Sequence, residues 1–165
     1  RRNPGVRGIG VDIAPASVEL ATSTIREAGL ADRLGVRCGD VHELGPDPAF
    51  AEVDVITCVF MGHDFWPYDR CVATLSRLRE AFPRAQTLLL CDVTRSDEVP
   101  GGGTPIFRLG FEAAHALMNT YLPTLAEWGE ALRASGWTPR AIHHTTAPPG
   151  GILFELTPDR TAATA

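Results

Sequence analysis

The sequence predicts an α/β fold: a mostly parallel sheet flanked by helices and closed by a terminal antiparallel hairpin. Three observations predict it. Short apolar runs alternate with amphipathic stretches of helical period from residue 6 to residue 135. Two of the runs, VDVITCVF and QTLLLCDV, are almost continuously apolar, as strands covered on both faces are. The last two runs flank a Pro-Pro-Gly-Gly turn, the signature of a hairpin. With 165 residues and 44% hydrophobic content, the chain has enough apolar surface for one domain of about 100–200 residues.

Residues 1–5 read as a polar helix tail and an Asn-Pro-Gly turn, because Pro and Gly both stop helices. Residues 6–13, VRGIGVDI, form a short strand ending in an acid. Pro15 suits a first helical turn, and residues 17–28 carry Val18, Leu20, Ala21, Ile25 and Ala28 at near-helical spacing, with Gly29 as the stop. Residues 34–38 are a second strand, closed by Gly39-Asp40-Val41. The third strand begins at Val53 and stops at Gly62, where His63, Asp64, Phe65 and Trp66 crowd its carboxyl end. Residues 69–82 place Val72, Leu75, Leu78 and Phe82 on one face and Arg77, Arg79 and Glu80 on the other, an amphipathic helix ended by Pro83. Residues 86–93 are a buried strand. Residues 94–105, with Gly101-Gly102-Gly103, read as a loop and not as a phosphate cradle, since no strand-turn-helix pattern surrounds them. Residues 107–121 are an apolar helix bearing His115 and Met118. Thr124 and Glu127 form a capping-box pattern for a helix running to Ser135, and Gly136 closes it. Strands at 140–145 and 152–156 finish the domain, assigned to residues 1–157, and 158–165 read as a frayed tail.

The bulk properties narrow the function. A net charge of −5 and no basic run longer than Arg1-Arg2 argue against nucleic acid and for a small-molecule or protein partner. Cys38, Cys58, Cys71 and Cys91 lack a CxxC pair, two of them lie in apolar strand-like runs, and they read as buried free thiols, not disulfides or zinc ligands, which points to a reducing cytoplasm. No apolar stretch approaches the ~18–20 residues that span a bilayer, and no signal peptide is visible. The chain opens without Met and enters a strand almost at once, as a piece of a longer protein would. A sheet of this Rossmann-like kind needs a central strand and a glycine loop before Val6, so the amino-terminal part is expected to be missing.

In open α/β sheets, ligands bind beyond the carboxyl ends of the strands. Asp12 ends the first strand, where a carboxylate suits ribose hydroxyls; it also suits capping of the next helix. Asp40 ends the second and suits an adenine amino group, with Val41 against the ring; its alternative is an Asx turn. His63 stands at the binding edge, where a neutral imidazole takes a proton near pH 7 or binds a metal. Asp64 reads either as a group that orients the imidazole or as a cap for the following helix, and the cap is favoured because adjacent side chains at a strand end point apart. Phe60, Met61, Phe65 and Trp66 line either a pocket or the core. His115, in an apolar helix, reads as a satisfied core histidine or as a second ligand reaching the cleft. His143 and His144 point to opposite faces of a late strand. A helical His pair at metal spacing is absent.

The motifs GIGVDI, VRCGDVHEL, FMGHDFWPYDRCVATLSRLREAF, LLLCDV and TLAEWGEALRASGW, in this order, resemble class I S-adenosylmethionine-dependent methyltransferases, in particular the small-molecule O-methyltransferase family. The resemblance spans nearly the whole chain but not the family's first strand, glycine-rich loop and amino-terminal helical dimerisation region. It implies S-adenosylmethionine as cofactor, contacted by Asp12 at the ribose, Asp40 and Val41 at the adenine, and Phe60 and Met61 at its inner edge, with Ile13 a further cofactor contact. It implies His63 as general base and a homodimeric parent protein. His-Asp-Phe-Trp-Pro stands where the family usually has His-Asp-Trp-Pro. With His115 it resembles the branch that methylates the carbon next to the ketone of α-keto acids such as phenylpyruvate or 2-ketoarginine, in which two histidines hold a non-haem iron. His63 and His115 are the pair for that metal. The alternatives are a nucleotide-binding Rossmann-like oxidoreductase and an inactive or binding-only fragment.

Overall fold

The computed structural model describes residues 3–95, 106–145 and 151–159. Strand β1 (Gly8–Asp12), helix α1 (Pro15–Glu27) and strand β2 (Leu34–Cys38) form a parallel two-stranded unit, with Gly8 opposite Leu34 and Asp12 opposite Cys38. Strand β3 (Val55–Val59), helix α2 (Tyr68–Ala81), strand β4 (Thr87–Asp92), helices α3 (Ile106–Leu117) and α4 (Leu125–Ala134), and strands β5 (Trp137–Thr145) and β6 (Gly151–Pro158) build the rest. Their sheet has the order β3-β4-β6-β5, parallel between β3 and β4 and antiparallel through the terminal hairpin. Among the described residues no strand bridges β1 and β3, so the single sheet expected from the sequence is two.

The core lies under the four-stranded sheet, where Leu88, Leu90, Phe154 and Leu156 meet Cys71, Leu75 and Leu78 of α2 and Trp128, Ala131 and Leu132 of α4. The apolar face of α2 is the one read from its spacing, and its ends fall within a residue of the expected 69–82. The capping box at Thr124 and Glu127 is present in both directions. β3, expected to be buried on both faces, is buried on one only: Ile56 and Cys58 face the core, whereas Val55, Thr57 and Val59 are exposed. Its near-continuous apolar run records a covered strand, but no described element covers the second face. Of the cysteines read as buried thiols, Cys58 and Cys71 are buried, whereas Cys38 is exposed.

α1 has the expected register, yet none of its residues is buried, and Leu20 is 71% exposed. β5 begins at Trp137, three residues before the expected 140. Pro139 argues against a strand there, but β5 is an edge strand and shifts register between Pro139 and Ala141, which accommodates it. α3 ends at Leu117, where 121 was expected. β6 runs through Pro158, into the stretch read as tail, and 160–165 lie outside the described residues. The triglycine run at 101–103 and most of the hairpin turn lie outside them too.

Candidate active site

The carboxyl ends of β3 and β4 lie side by side, Val59 opposite Cys91, which brings the segment after β3 against Asp92. The chain turns sharply to reach it. Phe60 takes a positive φ of 51° while its amide donates to the Cys91 carbonyl at 2.8 Å. For a bulky residue this left-handed conformation is strained, as backbone at functional sites often is. Gly62 follows because nothing larger fits: a Cβ there would sit 2.9 Å from Asp92 Oδ2, 2.9 Å from Leu90 Cδ1 and 3.0 Å from Trp128 Cη2.

This close approach delivers a short 3₁₀ turn, Gly62–Phe65, onto the Asp92 carboxylate. The His63 amide donates to Oδ2 at 2.8 Å, and its Nδ1 lies 2.8 Å from Oδ1. Oδ1 also accepts from the Val93 amide at 2.7 Å. Asp92 is fully buried and His63 is 7% exposed. An ionised carboxylate can only accept, so Nδ1 carries the proton and Nε2 keeps a lone pair. The hydrogen bond to Asp92 raises the His63 pKa above its ordinary value, with burial opposing it and the charges of Asp92 and Asp64 assisting.

Asp92 was not singled out by the sequence reading. Its signal was the one used for Asp12 and Asp40, an acid ending an apolar strand. Asp64, by contrast, was expected to cap α2 and does not: the N-cap is Pro67, without a side-chain cap bond. The Asp64 carboxylate is exposed, its Oδ1 3.9 Å from His63 Nε2, too far for a hydrogen bond.

α3 brings a second imidazole. The His115 and His63 rings stand edge to face with centroids 4.9 Å apart, and His115 stacks on Phe111 at 4.0 Å. His115 Nδ1 lies 2.8 Å from the Phe111 carbonyl and can only donate to it, which leaves Nε2 unprotonated in the neutral ring. The helix histidine is thus satisfied at one nitrogen, as its apolar setting suggested, and its ring also stands against that of His63. Two imidazoles in this state could hold a metal ion that takes its remaining ligands from substrate. Among the described residues no group of three or more His, Cys, Asp or Glu side chains is placed to hold a metal by itself.

The other candidates fall into two sets. Asp12 and Asp40 end adjacent regions of the β1–β2 unit, and each accepts from the amide two residues on, Ala14 and His42, both at 2.8 Å. Asp40 in this way caps the 3₁₀ turn Val41–Glu43. Ile13, at 65% exposure, follows Asp12, and Phe60 and Met61 follow β3; all three present apolar surface to solvent, whereas Phe65 and Trp66 are buried in the core. Trp66 also meets Tyr121 at 5.4 Å and Trp128 at 5.7 Å, an aromatic cluster beside the His63 turn. His143 and His144 lie on β5 with His143 Nε2 3.8 Å from Glu155, and they do not join the site.

Residues 2–80 match the family model described as "Methyltransferase domain". The chain is 41% identical over 163 residues to "Methyltransferase ungE'" of Aspergillus campestris (strain IBT 28561), covering 94% of this chain and 48% of that protein. It is 37% identical over 113 residues to "Indolepyruvate C-methyltransferase" of Streptomyces griseus, covering 68% of this chain and 33% of that protein. Among solved structures, mitomycin 7-O-methyltransferase MmcR superposes with a TM-score of 0.71 at 28% identity, over 94% of this chain and 42% of the other. The chain spans about half the length, or less, of the curated relatives it matches.

Proposed function

The chain carries a methyltransferase domain of the class I fold, and from that premise we propose that the protein transfers a methyl group from S-adenosylmethionine to a small-molecule acceptor, with His63 as general base. The observation that carries this reading is the buried His63–Asp92 pair, which leaves Nε2 unprotonated at the carboxyl end of β3. The cofactor supplies a methyl on a sulfonium, so what the protein adds is alignment and a place for one proton. As an acceptor oxygen attacks the methyl carbon, its proton passes to His63 Nε2, and the C–S electrons stay on sulfur in the neutral thioether. Asp92 stabilises the imidazolium so formed. Asp12 is assigned to the ribose, Asp40 and Val41 to the adenine, and Phe60 and Met61 to the inner edge of the cofactor, with Ile13 a further contact; the exposure of Ile13, Phe60 and Met61 supports that assignment.

A second reading keeps the cofactor and changes the acceptor. The ring centroid of His115 lies 4.9 Å from that of His63 and both rings have Nδ1 engaged, so their Nε2 atoms are the ones that would hold a non-haem iron, whose Lewis acidity would favour methylation at the carbon next to the ketone of an α-keto acid. A relative named for C-methylation of indolepyruvate supports it. An oxidoreductase has no such support. Residues 1–157 are assigned to this domain, and the pairing of β6 through Pro158 extends it past that boundary. The full-length protein is proposed to be a cytoplasmic homodimer; the four free thiols agree with the first term, and the resemblance alone suggests the second. Among the described residues no helix is long and apolar enough to cross a membrane.

His63→Ala in the full-length protein is expected to lower methyl transfer by about 10²- to 10⁴-fold, the range of a general base, with S-adenosylhomocysteine affinity by calorimetry within a few-fold of the parent. Undiminished turnover would make His63 structural. Metal analysis with and without His115→Ala separates the two acceptors: bound iron lost with the imidazole selects carbon, and iron-free active protein selects oxygen.

A further inference from the structure

His42 stands between the β1–β2 unit and the His63 turn, its side chain against Thr74 and Phe65. Its backbone amide is bound by Asp40, the residue assigned to the adenine. Its Nδ1 lies 2.7 Å from Thr74 Oγ1, on α2. Thr74 is 2% exposed, and its hydroxyl donates its only proton to the Arg70 carbonyl at 2.8 Å. Its remaining role is acceptor, so His42 Nδ1 is the donor. The same ring meets Phe65 edge to face at 5.8 Å, and Phe65, 1% exposed, belongs to the turn that carries His63. Since no described strand joins β1 to β3, this contact is a polar tie from the β1–β2 unit to the α2 side of the fold, supplemented by partly buried Ile9, Val11, Val41 and Leu44.

We propose that His42 and Thr74 form a positioning pair that fixes the cofactor loop, through Asp40 and Val41, in register with the His63 turn. Neither residue touches reacting atoms. The pair acts by holding the adenine end at a set distance from the base, and methyl transfer depends steeply on such alignment. The inference rests on the reading of Asp40 and Val41 as adenine contacts.

Two substitutions at one position separate positioning from support. Thr74→Val keeps the packed shape and removes the hydroxyl; Thr74→Ser keeps the hydroxyl and removes a methyl. S-adenosylhomocysteine affinity and Tm are measured for each in the full-length protein, together with His42→Phe, which keeps an aromatic edge against Phe65. Thr74→Val and His42→Phe are each expected to weaken binding about fivefold, the scale of one hydrogen bond. The double variant is expected to lose no more than either alone, because one interaction is removed once. Thr74→Ser is expected to bind as the parent does despite a lowered Tm. Affinity that follows Tm through both Thr74 variants, or that is unchanged in Thr74→Val, would overturn the pair as a positioning device. A parent protein that fails to bind S-adenosylhomocysteine would instead overturn the cofactor assignment, and the pair with it.

Discussion

At the scale of single residues, Asp92 decides what His63 can do. It binds both the backbone and the ring of the histidine, and as an acceptor at Nδ1 the carboxylate fixes the tautomer. A base must be neutral to accept a proton, and the Asp92 hydrogen bond raises the His63 pKa above its ordinary 6.5. The parent's kcat/KM is therefore expected to rise with pH through a midpoint above 6.5. In Asp92→Asn the raising interaction weakens while burial, which lowers the pKa, stays. The midpoint then moves to lower pH, and the plateau falls by about 10²-fold or more because the tautomer is no longer enforced. A pH–rate profile of the two proteins checks both, and coincident midpoints would remove Asp92 as the cause. His63 was legible in the sequence because it ends an apolar run at the ligand-binding edge of the sheet. Asp92 was written there equally plainly, but its meaning depends on β3 and β4 being neighbours in register, which a linear pattern does not state. Asp64 misled for the opposite reason: adjacency in sequence suggested a partner or a cap, and geometry turns it to solvent.

Among the elements, α2 is the one that organises the site, and its amino end shows how. Arg70 lies in the first turn, where the helix dipole disfavours a cation by about 0.3–1 kcal/mol. Three carbonyl acceptors offset this: Asp64 at 2.7 Å, Phe65 at 3.3 Å and Trp66 at 2.5 Å, all from the His63 turn and the residue after it. Arg70→Ala should free that turn without touching the core. The expected result is about tenfold faster hydrogen exchange at the Asp64 and Trp66 amides, which bond back to Met61 and His63, with β3 and β4 amides unchanged and turnover reduced several-fold at constant cofactor affinity. Unchanged exchange in the turn would show that the aromatic packing of Phe65 and Trp66 alone holds it. The helix itself was legible from Val72, Leu75 and Leu78, since helical spacing is a local signal. The clamp was not, because carbonyl oxygens leave no mark in a sequence.

Across the whole molecule, burial is unevenly shared, and this sets an order of stability. No residue of β1, α1 or β2 is buried, whereas β4, α2, α4 and β6 enclose Leu75, Leu88, Leu90, Trp128 and Leu156. The apolar pattern of α1 and the second face of β3 are both real in sequence, yet Leu20 and Val59 stand open; period tells that a face is apolar, not what lies against it. Local opening follows buried contact, so amides in the β1–β2 unit are expected to exchange about 10²-fold faster than those of β4 and β6, equivalent to ~2.7 kcal/mol. S-adenosylhomocysteine should narrow the gap, since Asp12 and Asp40 lie in the less stable unit and a ligand stabilises what it binds. Native-state exchange, read by mass spectrometry with and without that ligand, decides. Equal protection in the two units would mean that the few contacts through His42, Ile9 and Val11 already make one cooperative body, and protection gained only in β3 and β4 would move the adenine away from Asp40.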